Sequence, residues 1–216
     1  MSRPLTPLTR GFLATFSAVK SLQNPLRADM IAALGEATGE PALRRLREAM
    51  RGDEEGRRIL AERPLITRET MDLSTLATLP PGTFGEAYAS FMGHHDFDPD
   101  ERQPVRFVED EELAYVMLRY RQVHDFWHVL CGLPPTVVGE IALKWVEMVQ
   151  TRLPMCALSA TVGPLGLGTE ENRTLRNVYI PWALRAGVSV RRESAPQPRP
   201  APALHATQRT TTHQYQ

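Results

Sequence analysis

Two histidines and two carboxylates stand at spacings that suit a metal site. His124 and His128 lie four residues apart, and Asp125 precedes His128 by three, so these side chains are neighbours on one face of a helix. Eleven residues separate His128 from Glu140, which a chain that folds back can bring to the same point. Two imidazoles with up to two carboxylates suit a divalent first-row ion, zinc most readily and iron next. The alternative is a half-buried histidine pair that binds no metal.

The same segment predicts the helices that would position these groups. Four acids at 109–112 favour the start of a long helix, because a helix N-terminus attracts negative charge, and Gly132 favours its end. The Pro-containing break at 133–136 lets a second helix, over about 137–152, return antiparallel to the first. Glu140 would then lie in the first turn of the second helix, opposite the last turn of the first.

The composition excludes several classes of protein. The 216 residues carry 25 basic and 25 acidic side chains, so the basic excess of a nucleic-acid binder is missing. Two cysteines, Cys131 and Cys156, are too few for a disulfide scaffold. The sequence has no apolar run of roughly 18 residues, no strand pattern, no phosphate-binding glycine loop and no nucleophile elbow. We predict an all-α fold: a compact helical domain in which an antiparallel helix pair carries the metal site, followed by a disordered Pro-rich tail.

Three segments divide the chain. Residues 1–23 are basic and acid-poor, and Phe12 and Phe16 lie on one face of a predicted amphipathic helix. This segment is either a first helix packed on the core, or a targeting or membrane-surface segment. Residues 24–187 form the helical domain. Residues 188–216 are rich in proline and poor in apolar side chains, which predicts disorder.

Local signals place several helix ends within the domain. Asn24 followed by Pro25 is a helix start, and Thr83 with Glu86 is a capping box. Residues 169–187 predict a last helix that is kinked near Pro181.

Two further segments leave alternatives open. The loop 93–102 contains His94, His95 and three aspartates, but its spacing does not fit a calcium loop, which favours a solvated polar loop. The stretch 153–168 is apolar and interrupted by glycine and proline, so we do not expect a regular long helix there. It is either a buried connector or one wall of a channel for a lipid-like substrate.

The chain resembles the mitochondrial coenzyme Q (ubiquinone) biosynthesis protein 4 family over roughly residues 4–187. The motif of that family, His-Asp-x-x-His-x11-Glu, matches at His124, Asp125, His128 and Glu140. Other matching segments are 24–39, 59–64, 106–116, 139–145, 150–155 and 180–183. Family members continue past the Ile-Pro-Trp-Ala segment at 180–183 with another helix, whereas here a Pro-rich tail follows, which indicates a divergent or truncated C-terminus.

The resemblance implies an all-helical fold with zinc held by the four motif residues. It implies a peripheral place on the matrix face of the mitochondrial inner membrane, among other ubiquinone-biosynthesis proteins in a multi-subunit complex. The implied reaction is the metal-dependent C1-decarboxylation of 4-hydroxy-3-methoxy-5-polyprenylbenzoate to 2-methoxy-6-polyprenylphenol, which makes the protein a carboxy-lyase.

Two other functions stay open. One is a non-catalytic scaffold that binds polyprenylated intermediates and organises the biosynthetic complex. The other is a phosphohydrolase of the His-Asp type, which needs further ligands that only His94 and His95 could supply. Product formation distinguishes the lyase from the scaffold. A lyase forms product when its metal is bound, whereas a scaffold binds lipid without turnover.

Overall fold

The computed structural model describes residues 6–23, 28–102 and 104–193. Within these ranges the chain is helical without a β-strand, which confirms the predicted all-α class. The predicted helix start at Asn24 and Pro25 and most of the predicted disordered tail lie outside the described residues. The α-helices are α1 (Pro7–Gln23), α2 (Ala28–Thr38), α3 (Glu40–Gly52), α4 (Glu54–Glu62), α5 (Leu73–Leu76), α6 (Phe84–His95), α7 (Glu111–Cys131), α8 (Val137–Thr151), α9 (Pro154–Val162), α10 (Thr169–Thr174) and α11 (Ile180–Glu193). Short 3₁₀ turns cover Pro99–Glu101 and Gly163–Gly166, and a π-helical turn covers Leu175–Tyr179.

Helices α7 and α8 begin and end at the signals that predict them. Asp110 accepts hydrogen bonds from the backbone N–H groups of the first turn of α7, and Gly132 ends the helix in the left-handed conformation. Thr136 caps α8 by accepting from the Gly139 N–H. Contacts pair Glu140 with His128 and Glu147 with His124, so residue numbers run in opposite directions and the two helices are antiparallel.

Helix α7 is the centre of the packing. Leu113, Met117 and Tyr120 lie on its predicted inner face, and all three are buried in a cluster with side chains of α2, α3, α4 and α9. A second cluster joins α8 to α11, and Trp127 of α7 packs against it. The N-terminal half of the long helix therefore lies in the first core, and its C-terminal half, where the histidines lie, packs against the second core.

The predicted apolar face of α1 exists, but it is not the face that packs on the core. Phe12 and Phe16 point outward, with Phe12 71% exposed, whereas Ser17 is buried and Ala14 packs against the core. Helix α1 packs on α2, with the side that carries Ala14 and Ser17 turned towards the core. Arg10 binds Glu40 and Glu109 and so fixes the same face inward.

The stretch 153–168 contains no regular long helix, as expected. It forms α9 and then a 3₁₀ turn. Pro154 does not interrupt α9 because it stands at the start of the helix, where no backbone donor is needed. Gly163 lies against Ile141 of α8 so closely that a Cβ atom there would be 2.9 Å from its side chain. The stretch therefore packs on α8.

The predicted kink near Pro181 takes the form of the π-helical turn Leu175–Tyr179, directly before α11. A proline inside an α-helix removes one hydrogen bond and collides with the preceding turn, and a wider turn relieves that collision. Helix α11 continues to Glu193, beyond the predicted domain end at residue 187. None of the helices in the described part of the chain combines the length and hydropathy needed to cross a bilayer.

Candidate metal centre

Three of the four predicted ligands converge where α7 meets the start of α8. His128 Nε2 lies 3.2 Å from His124 Nε2 and 3.0 Å from Glu140 Oε1. His124 Nε2 lies 3.4 Å from Glu140 Oε2. No other group of three or more potential ligands converges in the ranges that the structure describes.

His128 has its tautomer fixed by the turn that ends α7. Its Nδ1 lies 2.9 Å from the carbonyl oxygen of Leu133, which only accepts hydrogen bonds, so Nδ1 carries the proton. Gly132 in the left-handed conformation lets the chain reverse, and the Leu133 N–H bonds back to the His128 carbonyl. The lone pair on Nε2 of His128 therefore faces the site.

His124 is oriented by Glu147, a residue that the sequence interpretation missed. His124 Nδ1 lies 2.6 Å from Glu147 Oε1. Glu147 stands two turns after Glu140 on the same face of α8, and its side chain is fully buried. This spacing of seven residues was the available signal, because it places a second carboxylate along the inner face of the return helix.

The charges of this cluster are strongly coupled. Burial alone would raise the pKa of Glu147, but the Lys144 ammonium and His124 outweigh burial and hold that pKa well below its ordinary value. Burial and Lys144 would lower the pKa of His124, but Glu147 and Glu140 raise it above its ordinary value. Glu147 is thus an ionised carboxylate that accepts from His124 Nδ1, and the Nε2 atom of His124 also faces the site.

Asp125, the remaining predicted ligand, lies outside this group. Its carboxylate, which is almost fully buried, binds the guanidinium of Arg102. Tyr88 lies nearby, and burial together with the Asp125 charge raises the pKa of its phenol to about 12. Asp125 therefore faces α6 and the loop that follows it, while His124 faces α8.

The loop at 93–102 contributes no ligand to this group. The ring of His95 packs against Phe91 and Phe97, and His94 packs edge-on against His95. Asp98 binds Arg68 instead. The further ligands that a His-Asp phosphohydrolase needs are thus absent from the converging group within the described residues.

The group is covered on one side and open on another. Phe91 of α6 stacks on the His128 ring with centroids 5.6 Å apart. The Glu140 side chain is 39% exposed, and Val137, one turn earlier on α8, is also exposed. A ligand would therefore approach along the first turn of α8, past the exposed Val137.

Comparison with known proteins places the chain in a family. The family described as coenzyme Q (ubiquinone) biosynthesis protein Coq4 matches residues 1–193. The mitochondrial ubiquinone biosynthesis protein COQ4 homologue of Homo sapiens is 50% identical over 184 residues, which are 85% of this chain and 69% of the human protein. The mitochondrial protein coq4 of Schizosaccharomyces japonicus is 47% identical over 86% of this chain and 78% of its own.

A solved structure has the same fold. A crystal structure from Nostoc punctiforme, described as a candidate ubiquinone biosynthesis protein, superposes with a TM-score of 0.63 and covers 82% of this chain and 84% of its own. The sequences are only 22% identical, so this likeness concerns the fold. The chain belongs to the Coq4 family of ubiquinone biosynthesis proteins.

Proposed function

We propose that this chain is a carboxy-lyase of ubiquinone biosynthesis that holds a divalent metal, zinc most readily and iron as the alternative. The proposed reaction converts 4-hydroxy-3-methoxy-5-polyprenylbenzoate to 2-methoxy-6-polyprenylphenol. Family membership supports the pathway, and the names of the relatives support a mitochondrial location. The single observation that carries the site is the convergence of two imidazole Nε2 atoms and a carboxylate.

The donor set fits a metal ion. Both histidines use Nδ1 as a donor elsewhere, so when Nε2 is deprotonated each ring offers a lone pair beside the Glu140 carboxylate, with 3.0 to 3.4 Å between these atoms. Ligand atoms about 2.0–2.1 Å from a tetrahedral zinc lie about 3.3 Å apart, close to these separations. We propose His124, His128 and Glu140 as ligands. Asp125 is proposed as a further ligand that exchanges between Arg102 and the ion.

The chemistry explains why a decarboxylase would use such a site. The ring carbon that bears the carboxyl must gain a proton, and the C–C bond then breaks, so that its electron pair returns to the ring and carbon dioxide leaves. The 4-hydroxyl is para to that carbon, and its ionisation pushes electron density towards it. A bound metal would act as a Lewis acid toward the carboxylate or phenolate oxygen.

The protein's own residues prepare the site for this reaction. Glu147 and the Leu133 carbonyl orient the two imidazoles. Phe91 covers the His128 ring and excludes water from that side. The exposed Val137 beside Glu140 offers an apolar rim to a prenylated ring.

A non-catalytic scaffold is the second candidate, and α1 favours it. Leu8 and Phe12 are 85% and 71% exposed, and such side chains suit a lipid or protein surface. In either role we propose a peripheral position on the matrix side of the inner membrane. Its partners would be polyprenylated hydroxybenzoates and other ubiquinone-biosynthesis proteins.

Mass spectrometry of the product tests the proposal. The full chain is incubated with a short-chain prenyl 4-hydroxy-3-methoxybenzoate, beside Glu140→Ala and the surface control Glu170→Ala. We expect decarboxylated phenol from the wild type and the control only. Bound substrate without product, in folded protein that holds metal, would instead support the scaffold.

A further inference from the structure

Glu147 is a fully buried carboxylate with a partner for each oxygen. Oε1 accepts from His124 Nδ1 at 2.6 Å. Oε2 accepts from Tyr120 OH at 2.6 Å and from Lys144 Nζ at 2.5 Å, and the Cys156 thiol lies 3.4 Å away. Placing a charge in a core is expensive even when it is paired, so an ordinary core would contain apolar residues here.

The two histidines are held by different kinds of group. His128 donates to a backbone carbonyl, whereas His124 donates to this side chain. The two imidazole planes are nearly perpendicular, at 89°. Without Glu147 the His124 ring could rotate or take the other tautomer, and its Nε2 lone pair would no longer face the site.

We propose that Glu147 is a positioning residue that fixes the tautomer and the ring orientation of His124 and so presents Nε2 to the metal. This inference rests on the proposed metal centre and deepens it. Some carboxylates bind a metal-ligating histidine without touching the metal themselves. Replacing such a carboxylate typically weakens metal binding by about 10- to 100-fold.

Lys144 and Tyr120 have a different part in the same cluster. Both bind Oε2, the oxygen that His124 does not use. Lys144 compensates the charge of Glu147 inside the protein, which supports folding. Replacing Lys144 removes this compensation but leaves the contact between Glu147 and His124 in place.

Because His124 and Lys144 bind different oxygens of Glu147, the two contacts can be tested with separate variants. Glu147→Leu alone would leave Lys144 buried without its counter-charge and could unfold the chain. The double variant Glu147→Leu with Lys144→Met removes both charges together, and it also removes the acceptor of His124 Nδ1, which a glutamine amide oxygen would have kept. Tyr120→Phe is the first control, because it leaves both the Glu147–Lys144 charge pair and the His124 contact in place. Lys144→Met is the second, because it keeps the acceptor of His124 Nδ1 but leaves the Glu147 charge without its ammonium partner, so it is compared only if it is folded. Far-UV circular dichroism checks that each variant is folded.

Metal binding by the full chain is the test. Zn²⁺ affinity is measured by competition with a chromophoric chelator, and the visible absorption of the Co²⁺-loaded protein reports ligand geometry. We expect the double variant to bind Zn²⁺ about 10- to 100-fold more weakly, with an altered Co²⁺ spectrum. The two controls should stay within about threefold of the wild type, with its spectrum.

Two results would overturn the positioning role: a double variant with wild-type affinity and spectrum, or a Lys144→Met variant that loses as much affinity as the double variant. Failure of the wild type to bind Zn²⁺ or Co²⁺ would overturn the metal centre itself, and the positioning role with it. The two failures are therefore distinguishable.

Discussion

Helix α7 carries two buried charged clusters of opposite character, one at Arg121 and one at His124 and His128. In the first, Arg121 binds the Glu36 carboxylate at 2.6 Å, and the second oxygen of Glu36 accepts from the N–H groups of Arg106 and Phe107. In the second, the Nε2 atoms of His124 and His128 converge on the Glu140 carboxylate, and all three groups can serve as metal ligands once the Nε2 atoms are deprotonated. The first cluster matches donors to acceptors, while the second leaves acceptors that attract a cation.

This difference separates a structural ion pair from a binding site. Glu36 joins α2 to α7 and to the loop before α7, and both of its oxygens have donors. At the other cluster, the donors of both histidines are directed away from the common point. Damage to the first cluster should therefore affect stability, and damage to the second should affect metal binding.

The largest expected effect is at the ion pair. Glu36→Ala leaves the Arg121 guanidinium in the core without its carboxylate, and we expect the free energy of unfolding to fall by about 3–5 kcal/mol. Urea unfolding followed by circular dichroism measures this. The folded fraction should bind Zn²⁺ as the wild type does. Loss of zinc affinity with unchanged stability would contradict the distinction between the clusters.

The next largest expected effect is the rise in thermal stability when zinc binds, and its loss in a ligand variant. A ligand at 100 times its Kd stabilises a folded protein by about 2.7 kcal/mol, so zinc should raise the melting temperature of the wild type. Glu140→Ala should lose this response but keep its metal-free stability, because the side chain is partly exposed. Differential scanning calorimetry with and without a chelator measures both. If zinc raised the melting temperature of the wild type and of Glu140→Ala equally, the metal would bind at another site.

A smaller effect is expected at Asp125. Arg102→Met frees the Asp125 carboxylate from its partner. Since a part-exposed ion pair contributes up to about 1 kcal/mol, zinc affinity should rise by up to about fivefold if Asp125 exchanges onto the ion. Isothermal titration calorimetry detects such a change. Unchanged affinity would limit the ligands to His124, His128 and Glu140.

The smallest effect concerns the thiols near the site. Burial raises the pKa of Cys131 to about 11 and that of Cys156 to about 12, and the charge of Glu147 adds to both shifts. At pH 8 the thiolate fraction is then about one in a thousand or lower. Iodoacetamide should leave both thiols unmodified in the native chain and modify both after guanidinium unfolding, as intact-mass analysis would record. Rapid native labelling would contradict this.

The sequence predicts what is local to a helix or a turn. The caps of α7 and α8, the break between them and the shared face of His124 and His128 all follow from spacing, because helix geometry fixes which side chains are neighbours. The eleven-residue spacing and the predicted return helix added Glu140 to that set, and the likeness of the motif agrees with this. Whether the set binds a metal stays a prediction.

Contacts between distant segments were beyond such reasoning. Asp125 pairs with Arg102 across a loop, and Glu147 reaches His124 only because of how α8 lies on α7. The outward Phe12 of α1 has the same origin, since the packing of one helix on another selects the inner face. Spacing within one helix does not reveal the Arg102 partner of Asp125 or the inner face of α1, and for Glu147 it shows only that the side chain shares a helix face with Glu140.

Anomalous diffraction at the zinc edge, from crystals of the full chain grown with Zn²⁺, tests the central claim most directly. The predicted result is one strong peak about 2.0–2.2 Å from His124 Nε2, His128 Nε2 and a Glu140 carboxylate oxygen. The same map shows whether Asp125 has left Arg102. Well-ordered histidines with no peak between them, or a peak only at another site, would contradict the account.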